Sequence, residues 1–429
     1  MPIPTDYFSN VTTPEELEAH QLLRLQRGLE SVLNSNTFYR ERFRAAGLTA
    51  PEDVTSTTDL SLLPFTTKGD FLADQAEAPP YGTNLTYPLN RYTRVHQTSG
   101  TTGEPLRWLD TPESWRWMVS CWETVMRCAG VTSDDRVFVA FSFGPFIGFW
   151  CAFEAAGQIG SLAIPGGGMS SLQRLHAILA SDTTVLLCTP TYALRLAEVA
   201  KAEGIDINAS GIRLTIHGGE PGAGIPATRK RIEDAWGARC FDHSGATEVG
   251  PWGFEGPEQL GLYVDETEFI YEIIDPVSGS PADEGELVIT NLGRIGMPVY
   301  RYRTRDQVRR GSRHPDNGIP FQLLEGGVIG RVDDAVTIRG VTVYPSIFEN
   351  IVRRYSEIEE FALDVRGTAS LDELELRIEI ASGDSSTIAA AVERDIRNAV
   401  GMRVAVTPVA SGSLPRFELK ARRFTDHRT

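Results

Sequence analysis

Four hydroxyl side chains and two glycines fall together at Thr98-Ser99-Gly100-Thr101-Thr102-Gly103. Glycines let the main chain turn tightly and come close to a ligand. Hydroxyls and successive backbone N–H groups then make a cradle for an anion. Two more glycine-bearing segments each follow an apolar run: His217-Gly218-Gly219-Glu220-Pro221 and Asp242-His243-Ser244-Gly245-Ala246-Thr247-Glu248. Ligands gather at the carboxyl ends of parallel strands, and Glu248 offers the hard oxygen that Mg²⁺ takes. At Tyr302-Arg303-Thr304-Arg305-Asp306, an aspartate after a strand can accept both hydroxyls of a ribose. Gly330-Arg331-Val332-Asp333-Asp334, with Arg339-Gly340 beyond it, and Leu414 to Arg423 complete the set. Taken singly, each has an ordinary reading as well: a Ser/Thr/Gly surface loop, a solvated acid, an aspartate paired with its neighbouring arginines, a solvated tail lysine.

Several chemistries have no support. The residue after Gly103 is Glu104, not the lysine of a P-loop. No G-x-S-x-G elbow occurs, and no G-x-G-x-x-G follows a strand. There is no H-E-x-x-H, and Cys121, Cys128, Cys151, Cys188 and Cys240 include no C-x-x-C pair, so a zinc site is not indicated.

Certain elements must position these residues. Residues 14 to 46 read as a helix, with Pro14 in its first turn and Leu17, Leu22, Leu25, Leu29, Val32 and Leu33 at helical spacing. From about residue 90 to 290 strands alternate with helices. Strands are expected at Arg136 to Phe143, Thr184 to Cys188, Leu214 to His217 and Arg239 to His243. Helices are expected after Phe143 to about Gly157, at Tyr192 to Glu203 and at Ala227 to Trp236. This rhythm implies an α/β core with parallel strands. Phe269 to Asp275 and Gly285 to Thr290 read as an antiparallel pair. Beyond residue 330 a small α+β unit is expected, with strands at Ala335 to Ile338, Phe361 to Val365 and Glu373 to Ile380, and helices at Ser346 to Arg354 and Ser386 to Val400. The expected division is 1–330 and 331–429.

The 429 residues are 41% hydrophobic and 23% charged, an ordinary globular composition. The net charge of -16 makes nucleic acid or an anionic membrane a poor partner. The uncharged apolar run Val137 to Phe153 is short of the ~20 residues of a spanning helix and contains Gly144, Pro145 and Gly148. It reads as a strand, a turn and a helix start. The first ten residues carry no basic apolar leader. An odd number of cysteines without paired spacing fits buried thiols in a reducing cytoplasm.

In order and spacing, the six segments resemble the adenylate-forming ligases, and within them the phenylacetate–CoA ligase branch. Ser99 to Pro105 is similar to that family's phosphate loop S-G-T-T-G-x-P, and Asp242 to Glu248 to its D-x-x-G-x-T-E segment for adenine and Mg²⁺. Tyr302 to Asp306 is similar to Y-R-T-G-D, Gly330 to Asp334 to G-R-x-D-D, and Leu414 to Lys420 to L-P-R-x-x-x-K. Phe38-Tyr39-Arg40 and Leu63-Pro64-Phe65-Thr66-Thr67-Lys68 match the branch too. The resemblance runs from about residue 14 to 423. Three departures stand out: Ser244 where an aromatic usually flanks adenine, Arg305 for glycine, and Glu104 for a frequent lysine.

The resemblance implies a large adenylation domain with mixed and parallel sheets, and a small mobile C-terminal domain that swings about Asp333 and carries the catalytic Lys420. It implies ATP and Mg²⁺, a small cyclic or aromatic carboxylic acid, and CoA as acceptor. An amino acid, as in coronafacate ligase, or a carrier-protein thiol is the alternative. ATP would be held by Ser99, Gly100, Thr101, Thr102, Gly103, Gly219, Glu220, Pro221, Asp242, His243, Ser244, Thr247, Asp306 and Arg331, with Glu248 on the metal. Aromatic character places the acid pocket at Phe141, Phe143, Gly144 and Phe146, with Gly245 and Ala246 beside it.

Overall fold

The computed structural model describes the chain apart from residues 1–7, 9–10, 12, 99–103, 314–317, 335, 339–340, 369–370, 418–420, 422 and 429. Its central sheet has eight strands, in the order Leu323–Glu325, Gly261–Val264, Gly250–Glu255, Arg239–Ala246, Leu214–His217, Val185–Cys188, Arg136–Val139 and Leu162–Pro165. The last five are mutually parallel. From Arg239–Ala246 outward the pairing is antiparallel. That strand is the seam between the two halves.

Val185–Cys188 and Leu214–His217 are buried at every position, which is why they read as unbroken apolar runs. Alternate residues serve different cores. Val137, Val139, Val185 and Leu187 join the main cluster. Phe138, Leu186 and Cys188 join a second one with Tyr192, Leu196 and Trp236 from the covering helices Pro190–Ala202 and Pro226–Trp236.

A second sheet is antiparallel: Phe269–Ile274, Glu284–Asn291, Tyr302–Arg309 and Gly330–Arg331. The C-terminal unit has its own sheet, in the order Ala405–Val409, Leu371–Ile380, Ile358–Thr368 and Phe424–Asp426. Helices Pro345–Val352 and Ser385–Val400 pack there around Phe348, Val352, Leu363, Leu376, Val392 and Ile396. The architecture is therefore α/β with a smaller α+β unit, as the sequence implies. Among the described residues no helix is long and apolar enough to cross a membrane.

The expectations fail in places, each for a local reason. The helix expected over 14–46 is two, Pro14–Ser35 and Thr37–Ala45, because buried Asn36 caps the second by accepting from the Tyr39 N–H while donating to Asn84 and Thr86. The strand from Arg136 stops at Val139 rather than Phe143, and the helix starts only at Trp150. Phe143 in between has φ 49°, which no strand accommodates. Leu162–Pro165, helix Ser171–Ala180 and the strands Ala405–Val409 and Phe424–Asp426 were not anticipated. These three strands are short and partly exposed, so their apolar signal is weak.

Candidate active site

The seam strand carries the first group of site residues. The segment Asp242–Ala246 does not follow a strand as expected; it lies inside Arg239–Ala246, which continues because it pairs with Gly250–Glu255 across a bulge between Ser244 and Ala246. A side chain at Gly245 would meet the Gly250 carbonyl oxygen at 2.8 Å, so only glycine allows this approach. Neighbours along a strand face opposite ways, and Asp242 and His243 do so.

Asp242 lies under the loop from Gly218 to Ile225, where a Cβ on Gly224 would come within 2.7 Å of its Oδ2. Burial, reinforced by the Glu255 carboxylate and opposed by Arg229, raises its pKa to about 8, so it is protonated at neutral pH. His243 donates from Nδ1 to the Gly253 carbonyl at 2.8 Å, and its ring lies 4.2 Å from that of Trp122, centroid to centroid. Burial lowers its pKa to about 4 and keeps it neutral. His243, expected among the ATP-binding residues, packs here against an aromatic wall that starts at Trp122.

That wall continues from Trp122 to Phe149 at 5.7 Å, from Phe149 to Phe141 at 5.3 Å and from Phe141 to Phe143 at 6.3 Å. The irregular segment 140–149 presents these rings, and the Gly144 carbonyl is fixed by the Trp150 indole N–H at 3.1 Å. Phe141, Phe143, Gly144 and Phe146 are half-buried, as is Ala246, while Gly245 is exposed.

Glu248 lies just past the strand, 5% exposed, with Oε1 accepting from the Tyr302 hydroxyl at 3.2 Å. Behind it stands a pair that sequence reading missed. Arg294 and Asp110 form a two-pronged ion pair at 2.7 and 2.6 Å, with both side chains fully buried. The third arm of Arg294 donates to the carbonyls of Thr247 and Glu248. An arginine and an aspartate 184 positions apart leave no spacing signal. Among the described residues no cluster of three or more His, Cys, Asp or Glu could hold a metal. One carboxylate fits a Mg²⁺ that arrives with a nucleotide, since that ion keeps waters and phosphates as its other ligands.

Asp306 lies inside Tyr302–Arg309, not after a strand as expected, and stands opposite Arg331 in the second sheet. Arg331 donates to Asp306 Oδ1 at 3.2 Å and grips both Asp333 oxygens at 3.0 and 3.1 Å. The ribose, arginine and hinge candidates thus form one chain of contacts. Burial raises the Asp306 pKa to about 6 against the pull of Arg331. Arg305 has φ 66°, and its N–H bonds to buried Glu286 at 3.1 Å. This left-handed position is where the family pattern has glycine. The Arg305 guanidinium is half-exposed and 4.0 Å from Glu286, so the extra cation is partly answered by a carboxylate.

Ser99, Gly100, Thr101, Thr102 and Gly103 lie outside the described residues, as does Lys420. The flanks of the first segment are described. Arg94–Gln97 pairs antiparallel with Arg107–Asp110, and Thr98 exchanges bonds with Leu106, so the loop closes a hairpin. Gly219 has φ 90°, and Gly219 and Pro221 are exposed. Glu220, expected among the ATP-binding residues, has both carboxylate oxygens hydrogen-bonded within the protein. Oε1 accepts from the Thr191 N–H at 3.0 Å and Oε2 from the Ala421 N–H at 2.6 Å. Ser244 and Thr247 are half-buried.

The chain is 32% identical to the phenylacetate-coenzyme A ligase of Pseudomonas putida over 432 residues, 96% of this chain and 95% of that one. The ligase of the same name from Escherichia coli strain K12 is equally similar, 32% over 433 residues with the same shares covered. The chain belongs to the phenylacetate–CoA ligase family. Residues 340–428 match the model of the AMP-binding enzyme C-terminal domain. Among solved structures, a 2-hydroxyisobutyryl-CoA ligase in its postadenylation state superposes with a TM-score of 0.91 at 27% identity, covering 98% of this chain and 91% of its own. The same ligase in its thioesterification state gives 0.73. One sequence underlies both states, so the difference lies in how its parts are arranged. This family member has the arrangement of the former.

Proposed function

We propose that the chain is an ATP-dependent, AMP-forming ligase that activates a small cyclic or aromatic carboxylic acid and transfers the acyl group to CoA. The observation that carries this reading is the seam strand. It turns a half-buried acid, Asp242, toward the polar loops and a neutral His243 toward the aromatic wall, and Glu248 follows at its end.

A carboxylate reacts poorly with nucleophiles because oxide is a bad leaving group. In the proposed first step a carboxylate oxygen attacks the α-phosphorus of ATP, the bond to pyrophosphate breaks, and an acyl-adenylate forms. In the second a thiol attacks the acyl carbon, loses its proton, and AMP leaves. All partners of the first step are anionic, so cations and dipoles must gather there. In this reading Ser99 to Gly103 hold the β- and γ-phosphates, and Gly219, Pro221, Asp242, Ser244 and Thr247 border the nucleotide. Glu248 takes Mg²⁺, Asp306 the ribose, and Arg331 a phosphate or the ribose. Lys420 bridges carboxylate and α-phosphate. His243, Phe141, Phe143, Gly144, Phe146, Gly245 and Ala246 border the acid. The units 1–330 and 331–429 move about Asp333. Gly330 and Arg331 still pair with the large unit's sheet, which supports a pivot directly after them.

CoA is favoured over an amino acid or a carrier thiol because the full-length relatives are named for CoA ligation. The test is mass spectrometry of products from ATP and a panel of acids, with CoA and amino acids offered in parallel. AMP, pyrophosphate and an acyl-CoA are expected. ADP and phosphate would place attack at the γ-phosphorus and overturn the proposal, and an acyl-amino acid would replace CoA as acceptor.

A further inference from the structure

The contact between the two units is polar. Arg423 donates to both Glu360 oxygens at 2.6 and 3.1 Å and to the Thr191 hydroxyl at 3.3 Å. Arg416 pairs with Glu379 at 2.6 Å and reaches Glu198 at 4.0 Å. Arg231 donates to the carbonyls of Tyr355 and Ile358. Polar interfaces of this kind separate more readily than apolar ones.

Within that contact Glu220 has a particular place. Thr191 is the second residue of helix Pro190–Ala202, so its N–H is one of the donors a helix start leaves without an internal partner. Glu220 Oε1 takes it, an acid placed where the helix dipole favours one. Oε2 takes the N–H of Ala421. Ala421 is joined to Lys420 by a single peptide bond. One half-buried carboxylate therefore ties the start of a large-unit helix to the main chain beside the lysine.

We infer that Glu220 is a positioning residue, a latch that holds the C-terminal unit in the arrangement that sets Lys420. The inference rests on the reading given under Proposed function for what Lys420 does, but the latch itself does not. Docking gives the second carboxylate oxygen a partner, and release exposes it to water. The N–H of Thr191 holds Glu220 in place in either case, so the acceptor stays ready for the returning tail.

The test reads geometry first. All five cysteines are buried, so cysteines introduced at exposed Lys201 and Asn398 can carry spin labels on the full chain. Without the latch variant, the labels should report one main separation, that of the docked arrangement. Glu220→Gln keeps the shape but faces one N–H with another. It should lower the docked-to-undocked ratio about tenfold or more, as expected for one lost charge-assisted hydrogen bond. Ala421→Pro removes the N–H from the opposite side and should do the same without touching the large unit.

The kinetic arm separates the two steps. Acyl-adenylate formation should fall in Glu220→Gln by the same factor as the docked fraction read from the labels, while presynthesised acyl-adenylate is still converted to thioester at the wild-type rate or faster. Unchanged separations in both variants would overturn the latch. So would unchanged separations with a weakened ATP Kd in Glu220→Gln, which would make Glu220 a nucleotide ligand. If the wild type makes no adenylate from any acid, the functional reading fails, and the label distances still decide the latch.

Discussion

Arg294 holds Asp110 with two hydrogen bonds and holds the carbonyls of Thr247 and Glu248 with its third arm, all out of reach of water. A charge so placed is tolerable only while its partner stays, because the uncompensated ion keeps its full desolvation cost. Arg294→Met should therefore lower unfolding stability by about 3–5 kcal/mol. A urea titration with an unchanged midpoint would show that the pair is dispensable. Asp110→Asn should be damaging as well, since it leaves the guanidinium without a counter-charge.

Asp306 gives a pH-dependent expectation. Its carboxyl titrates near 6, raised by burial, so the anion is present above that value and lost below it. Accepting two ribose hydroxyls requires the anion. ATP binding should weaken as pH falls through about 6, well before an ordinary aspartate would protonate. Asp306→Ala should weaken ATP by roughly 1.5–3 kcal/mol for each hydrogen bond removed and flatten the profile. A Kd that ignores both the substitution and the pH removes Asp306 from the site.

Arg305 sits in left-handed backbone at φ 66°. A non-glycine residue pays about 1–2 kcal/mol there. Arg305→Gly should recover part of that, offset by the greater freedom of glycine in the unfolded chain. A modest gain in urea midpoint is the expected outcome; a loss would mean the guanidinium near Glu286 matters more than the strain.

Lys420→Ala should divide the half-reactions. Loss of one cation at the α-phosphorus should slow adenylate formation by about 10²–10³, as for a lost oxyanion donor. Conversion of chemically made acyl-adenylate should continue near the wild-type rate. Equal loss of both in a folded variant would assign Lys420 to both steps or to neither.

His243 and Trp122 test the aromatic wall. Trp122→Ala should raise the KM for the acid more than that for ATP, because it removes a buried ring from one side of the strand only. Equal effects on both substrates would mean the wall supports the fold rather than the acid.

Much of this is legible in the amino-acid sequence. Buried strands such as Val185–Cys188 announce themselves as apolar runs, and six ordered motifs made the family evident. What stayed hidden depends on distance in sequence. Asp110 and Arg294 meet only after the sheet forms. Glu220 looks like part of a ligand loop until the Ala421 N–H arrives from 201 residues away. The alternation that assigns His243 to the aromatic side needs the strand to run on to Ala246, and Ser-Gly-Ala does not look like a strand. Asn36 splits a helix that apolar spacing alone would have left whole.

The seam strand also constrains how such a protein can change. Asp242 and His243 are consecutive, so inserting or deleting one residue ahead of them would exchange the two faces and lose both sets of contacts together. Heritable variation in the acid accepted is thereby steered away from length changes in this strand. The irregular segment 140–149 is under no such pairing rule, and lengthening a loop costs only a slowly growing closure entropy. Divergence in ligand preference has an open route there, while the strand beside it is confined to one-for-one replacement.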